Sequence, residues 1–149
     1  MFSKTCEYGL KAMIYIASKS QEDQLTTLEE ISQQIDSPSA FTSKILQQLK
    51  RHHLLTSTKG KSGGYQIEKK KLSKINLLQI VSAIDGDELF TKCGLGLGEC
   101  NSKKPCPIHD DYSKLRNNLK EMLKRNSLLS NIEKLNKGKA TLIRTTKIF

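Results

Sequence analysis

Three cysteines and one histidine lie close together in the segment Cys93-Gly-Leu-Gly-Leu-Gly-Glu-Cys100-Asn-Ser-Lys-Lys-Pro-Cys106-Pro-Ile-His109. Thiolate and imidazole are the side chains that bind zinc and iron-sulfur clusters in proteins. The short intervals between them would let one loop surround a single metal centre. The segment is rich in glycine and lysine and could not form a core by itself, so its cysteines indicate a soft-metal site.

The elements that precede this segment are predicted from hydrophobic spacing. Apolar residues recur at helical intervals over residues 4–18, 28–36 and 39–52, which predicts three amphipathic helices. Thr27 and Glu30 have the spacing of a capping box, in which each side chain satisfies a backbone donor at the start of the second helix. The third helix has a buried face with Phe41, Ile45 and Leu49, and a polar outer face.

A hairpin and three further helices are predicted after the third helix. Two β-prone runs, 54–58 and 65–67, are joined by Lys59-Gly60-Lys61-Ser62-Gly63-Gly64, whose glycines permit a tight loop. Asn76 is a predicted cap for a helix over 77–84. After the cysteines, residues 110–124 carry an apolar stripe that no other part of the chain is expected to cover, so we expect a second subunit to cover it. A short helix over 127–135 follows it.

The charge of the chain is distributed unevenly. The net charge is +10, and residues 37–74 hold nine Lys or Arg against one acidic residue, Glu68. A concentrated basic region attracts the phosphate backbone of nucleic acids. No stretch has the length of a membrane helix, and the N-terminus lacks the features of a signal peptide, so we expect a cytoplasmic protein with no membrane partner.

Helix, helix, a third helix with a polar outer face, and then a basic hairpin form the winged helix-turn-helix arrangement. The predicted fold class is therefore mainly α with a small β-hairpin wing, in which the third helix enters the major groove of double-stranded DNA. Residues able to hydrogen-bond base edges are Ser39, Thr42, Ser43 and Gln47. The predicted phosphate contacts are Lys44, Lys50 and Arg51, and the predicted wing contacts are Lys59 and Lys61.

Four stretches of this chain resemble the Rrf2 family of bacterial winged-helix transcriptional regulators. These are Ser37-Pro38-Ser39-Ala40-Phe41-Thr42-Ser43-Lys44-Ile45-Leu46-Gln47-Gln48-Leu49, Leu54-Leu55-Thr56-Ser57, Lys59-Gly60-Lys61-Ser62-Gly63-Gly64-Tyr65 and Ile80-Val81-Ser82-Ala83-Ile84-Asp85. The resemblance implies a homodimer that binds a roughly palindromic operator, with the long helix after the cysteines as the dimer contact. Relatives usually begin the wing with Arg, whereas this chain has Lys59, so its operator preference is expected to differ.

Regulators of the iron-sulfur-binding branch of that family, which are IscR-like, NsrR-like and RsrR-like, carry three cysteines in the same loop, whereas the CymR branch is cluster-free. The resemblance implies that Cys93, Cys100 and Cys106 bind an iron-sulfur cluster, with [2Fe–2S] favoured over [4Fe–4S]. Their first interval is one residue longer than is usual in those relatives. The fourth ligand is either His109, as in IscR-like proteins, or Glu7 reaching across from a partner subunit, as in NsrR-like and RsrR-like proteins.

The sequence thus predicts a winged helix-turn-helix domain at 1–86, a cluster-binding loop at 87–109, a dimerisation region at 110–135 and a flexible basic tail at 136–149. The predicted function is a transcriptional regulator that senses redox state, nitric oxide or cluster status. Two alternatives keep the same DNA-binding fold and replace the cluster by structural zinc or by a disulfide switch. An enzyme is not expected, because no nucleophile, nucleotide-binding or acid-base pattern accompanies the cysteines.

Overall fold

The fold is known from a computed structural model that describes residues 1–144. Helix α1 (Lys4–Gln21) packs against four other helices: α2 (Leu28–Ile35), α3 (Ser39–Arg51), α4 (Leu77–Asp85) and α7 (Leu128–Asn136). The Ser3 side chain caps α1 by accepting a hydrogen bond from the Cys6 amide at 3.0 Å. The expected mainly α architecture with one small hairpin is confirmed.

The helix-turn-helix consists of α2 and α3 (Ser39–Arg51). Helix α2 is followed by Asp36, whose left-handed backbone (φ 52°) ends the helix and turns the chain toward Pro38 and α3. The predicted capping box at its start is only half formed. Thr27 accepts from the Glu30 amide at 3.2 Å, but the Glu30 carboxylate instead accepts the hydroxyl proton of Tyr15 at 2.6 Å.

The wing is the antiparallel pair β1 (Thr56–Thr58) and β2 (Gly64–Gln66), in which Ser57 lies opposite Tyr65. Its base is attached to the rest of the domain at two points. Tyr65 exchanges backbone hydrogen bonds with Thr26 at 2.8 and 3.0 Å. The Ile67 amide donates to the buried hydroxyl of Ser20 at 2.9 Å. The predicted hairpin is therefore present, and it is held by the segment that connects α1 to α2.

The second half of the chain contains α4, α5 (Glu88–Thr91), α6 (His109–Arg125) and α7. At the start of α4, Asn76 and Gln79 form a complete capping box, in which each side chain accepts from the backbone amide of the other residue. Helix α5 falls inside the segment that was expected to be loop. Of the predicted basic tail, residues 145–149 lie outside the described residues, while Leu142 packs against the main core.

The apolar stripe of α6 is partly covered within the chain, which corrects the expectation that only a second subunit would cover it. Leu123 is buried in a small cluster with Val81 of α4 and Phe90 of α5, and Leu119 packs against the same cluster. Leu115, by contrast, remains 57% exposed. The uncovered part of the stripe is thus restricted to the N-terminal half of α6.

Candidate metal centre and nucleic-acid interface

The loop that carries the cysteines connects α5 to α6 and closes on itself at its start. The Cys93 amide donates to the Gly98 carbonyl and the Cys100 amide donates to the Thr91 carbonyl, both at 2.8 Å. Gly96 and Gly98 adopt positive φ angles of 75° and 87°, which permit this tight return of the chain. The long interval between the first two cysteines is therefore folded into a closed turn that brings both to its base.

The second half of the loop brings the remaining donors to the same place. His109 is the first residue of α6, and its amide donates to the Cys106 carbonyl at 3.0 Å. Its Nδ1 atom lies 3.3 Å from Sγ of Cys100. The thiols of Cys93 and Cys106 are near enough for each to shift the pKa of the other. The fold thus brings four donors that are separated in sequence to one part of the loop.

All four donors line one cavity of about 290 Å³. A Cys₃His set supplies the ligand types of zinc and iron-sulfur sites, so the residues present fit either group. Among residues 1–144, no three His, Cys, Asp or Glu side chains already stand at metal-binding distance from one another. The four donors therefore line a common space, and their side chains would have to move closer together to ligate one centre.

The thiols of this cavity differ in acidity. Backbone hydrogen bonds from Leu97 and Leu95 lower the pKa of Cys93, and the Leu95 amide lies 3.4 Å from its sulfur. Burial raises the pKa of Cys106, and the neighbouring thiol of Cys93 adds to that increase. A low-pKa thiol beside a high-pKa thiol means that one sulfur is available as a ligand or nucleophile before the other.

Helix α6 holds the loop in position. The Arg116 guanidinium donates to the Lys92 carbonyl at 3.1 Å, directly before Cys93. The ring of Tyr112 lies against Gly94 so closely that a Cβ atom there would be 3.0 Å from it. Neither Arg116 nor Tyr112 was predicted as a site residue, since an arginine and a tyrosine on an amphipathic helix give no signal that they contact a loop.

Glu7, the rival fourth ligand, lies elsewhere on the chain. It is exposed on α1, its carboxylate pairs with Lys4 at 3.2 Å, and it does not line the cysteine cavity of its own chain. Cys6 beside it is fully buried in the small hydrophobic cluster with Val81 and Phe90, as a small apolar residue would be. Within one chain, His109 is therefore the predicted fourth ligand that joins the three cysteines.

The predicted DNA-contacting residues of α3 fall on its exposed face with one exception. Ser39, Lys44, Gln47, Lys50 and Arg51 are exposed and Ser43 is partly exposed. Thr42 is fully buried, and its hydroxyl donates to the Pro38 carbonyl at 3.0 Å. Because that hydroxyl is enclosed within α3, Thr42 is removed from the proposed contact set.

The wing and α3 enclose a basic cleft of about 260 Å³. Gln47 and Lys50 of α3 line one wall, and Ser57, Lys59 and Tyr65 line the other. The Lys50 ammonium group donates to the Ser57 hydroxyl at 2.7 Å and so connects the two walls. Lys61 is exposed in the loop of the wing. Ser57 and Tyr65 were not predicted as contact residues, because their part in the cleft depends on the register of the hairpin.

Comparison with known proteins agrees with this architecture. The family model described as Rrf2, iron-dependent transcriptional regulator, matches residues 2–134. A protein of Aquifex aeolicus named as an HTH-type transcriptional regulator is 28% identical over 137 residues, covering 89% of this chain and 93% of that protein.

Two solved structures share the fold. CymR, the global cysteine regulator of B. subtilis, superposes with a TM-score of 0.72 at 20% identity, covering 89% of this chain and 96% of that one. IscR of T. potens superposes with a TM-score of 0.71 at 15% identity, covering 95% of this chain and 92% of that one. At these identities the likeness shows the fold alone. Within residues 1–144, every helix is too short or too polar to cross a bilayer.

Proposed function

Since the chain belongs to the Rrf2 family of DNA-binding transcriptional regulators, we propose that its DNA affinity is controlled by an iron-sulfur cluster bound in the cysteine cavity. The observation that carries this proposal is the convergence of Cys93, Cys100, Cys106 and His109 on one cavity between α5 and α6. Family membership supports the regulatory role, and the donor chemistry supports the cluster.

The three thiolates would hold the cluster, and the imidazole of His109 would supply the fourth ligand. His109 is favoured because it already lies 3.3 Å from Cys100, whereas Glu7 could contribute only from a partner subunit. A bound [2Fe–2S] cluster would supply a centre that reacts with oxidants or nitric oxide.

The DNA-binding surface consists of the exposed face of α3 and the cleft beside the wing. Gln47 would contact base edges, while Lys44, Lys50 and Lys59 would contact phosphates. A homodimer would place two such surfaces on one palindromic site, with the exposed half of the α6 stripe around Leu115 as the subunit contact.

The experiment uses a DNA duplex that the wild-type protein selects from a random-sequence pool under anaerobic conditions, here called the selected duplex. Affinity for it is measured by fluorescence anisotropy with cluster-loaded and with cluster-free protein. An allosteric coupling of about 1–3 kcal/mol would change the affinity roughly 5- to 150-fold. Equal affinities of the two forms would contradict the proposal.

Two cysteine variants make the test specific. Cys100→Ala should bind no cluster and should show the affinity of the cluster-free wild type under all conditions. Cys6→Ala is the matched control, because Cys6 is a buried cysteine outside the cavity. It should bind the cluster and switch like the wild type. Loss of the cluster in both variants would contradict the assignment of the site to the loop cysteines.

A thiol switch is the second candidate function, and the presence of Cys93 and Cys106 in the same cavity favours it. Hydrogen peroxide would oxidise these two thiols to a disulfide, with two water molecules as the reduced product. This function predicts DNA affinity that changes with peroxide in the iron-free protein and is restored by a thiol reductant. A zinc site held by the same donors would instead appear as zinc bound to the colourless, iron-free protein.

A further inference from the structure

The inner side of the recognition helix α3 forms a hydrogen bond with the end of α4. The side-chain amide of Gln48 donates to the Ala83 carbonyl at 2.9 Å and to the Ile84 carbonyl at 3.3 Å. The last carbonyls of a helix have no partner within that helix and must be satisfied from outside. At the C-terminus of α4, which ends at Asp85, a residue of α3 provides that donor.

The same helix end is fixed tightly to α1. A Cβ atom added at Gly9 would lie 2.1 Å from Cδ1 of Ile84 and 3.3 Å from Cγ2 of Ile45, so α1, α3 and α4 meet there without free space. The Asp85 carboxylate accepts from the backbone amide of Ser3 at 3.0 Å and from its hydroxyl. Close packing of this kind transmits a displacement instead of absorbing it.

A short, anchored segment leads from this helix end to the cysteines. Gly86 ends α4 with a positive φ of 75°, and α5 follows immediately. Phe90 of α5 is buried in the small hydrophobic cluster that contains Val81 of α4. Cys93 lies just after α5, so a change in the position of Cys93 acts on the segment that is attached to the end of α4.

We propose that Gln48 is a positioning residue through which the state of the cysteine site reaches the recognition helix. This inference rests on the proposed function and deepens it. A rearrangement of the Cys93 loop displaces α5 and the C-terminus of α4. The two hydrogen bonds from Gln48 then require α3 to follow, which changes how the exposed face of α3 fits the major groove.

The test measures the ratio of affinities for the selected duplex between cluster-loaded and cluster-free protein. Gln48→Met keeps the length of the side chain and removes the donor. It should reduce the ratio by roughly 2- to 30-fold, the range seen for residues in a coupling network. Cluster content, measured as iron and sulfide per chain, should stay at the wild-type level, because Gln48 does not line the cysteine cavity.

A second readout needs no cluster. In the cluster-free protein, Gln48→Met should raise amide hydrogen exchange over residues 84–92 by roughly two- to tenfold, as expected when about one net hydrogen bond is lost. Gln48→Glu places an acceptor against the two carbonyls and should likewise raise amide hydrogen exchange over residues 84–92. It replaces Gln48→Met if that variant does not fold. Gln48→Lys retains a donor and should restore both the ratio and the protection.

Gln34→Met is the matched control, since Gln34 is an exposed glutamine on α2. It should leave the ratio and the exchange unchanged. A wild-type ratio in both Gln48→Met and Gln48→Glu would overturn the inference while leaving the proposed function intact. A wild-type protein whose affinity is the same with and without cluster would overturn the proposed function, and this inference with it.

Discussion

The attachment of the wing to the domain gives a prediction at a single glycine. At Gly64 a Cβ atom would lie 2.7 Å from the Thr26 carbonyl oxygen and 3.1 Å from the Thr26 amide nitrogen. Both atoms belong to the backbone, which cannot rotate away as a side chain would. Gly64→Ala should therefore separate β2 from the segment between α1 and α2 and break the two hydrogen bonds between Tyr65 and Thr26.

The magnitude follows from those two hydrogen bonds. Each contributes about 0.5–1.5 kcal/mol net, so the variant should lose about 1–3 kcal/mol of stability. For a chain of this size each kcal/mol lowers the melting temperature by about 2–4 °C. A displaced wing also removes one wall of the cleft that contains Lys59 and Tyr65, so affinity for the selected duplex should fall as well.

Thermal unfolding followed by circular dichroism and anisotropy titration of the selected duplex measure the two effects. Gly138→Ala is the control, because Gly138 has a left-handed φ of 67° with open space around it and lies far from the wing in sequence. It should lower stability by about 1 kcal/mol and leave DNA affinity unchanged. Wild-type stability together with wild-type DNA affinity in Gly64→Ala would refute the reasoning.

Three further predictions address the thiols, the subunit contact and the base of the wing. In cluster-free protein, alkylation followed by mass spectrometry across a pH series should modify Cys93 at lower pH than Cys106, because hydrogen bonds lower the pKa of the first and burial raises that of the second. Cys6 should react last, since burial and then Asp85 raise its pKa to about 12, and simultaneous reaction of all the thiols would contradict this order. Leu115→Glu should shift sedimentation toward the monomer, whereas Lys114→Glu, which introduces the same carboxylate at a neighbouring exposed residue, should not. Ser20→Ala should destabilise the protein by about 1–3 kcal/mol in denaturant unfolding, because it leaves the buried Ile67 amide without its acceptor, and an unchanged midpoint would show that this contact is dispensable.

Much of the fold could be predicted because hydrophobic periodicity records which face of each element is buried. Thr42 was predicted as a DNA contact from its residue type, whereas the structure buries its side chain. Thr42, Ile45, Leu46 and Leu49 have the i, i+3, i+4, i+7 spacing of one helix face, and all are buried. Periodicity therefore already placed Thr42 inside, although its hydroxyl suggested a DNA contact.

Other features could not be predicted because they depend on contacts between distant segments. The Glu30 carboxylate accepts a hydrogen bond from Tyr15, which lies on a different helix. A capping-box pattern in the sequence cannot show that a distant donor takes this carboxylate. Helix α5 is a single turn, too short to produce a periodic signal. Its Phe90 nevertheless helps to cover the apolar stripe of α6. The extent of the exposed surface on α6 therefore could not be predicted from the sequence either.

The cysteine site was predicted from the sequence only in part. The donor types and their spacing predict that Cys93, Cys100, Cys106 and His109 act together, and the structure brings these four residues to one cavity. The supports of that cavity, Arg116 and Tyr112, come from α6 and have no motif. Local sequence thus indicates the ligands of the candidate site, whereas the residues that orient them are fixed by tertiary packing.

The central claim is that the cysteine cavity binds an iron-sulfur cluster, and one measurement tests it most directly. Protein purified without oxygen is examined by visible absorption, with iron, acid-labile sulfide and zinc assayed on the same sample. The account predicts a coloured protein with matching iron and sulfide, both of which are lost in Cys100→Ala and retained in Cys6→Ala. A colourless wild-type protein that lacks iron and still binds the selected duplex would contradict the cluster assignment.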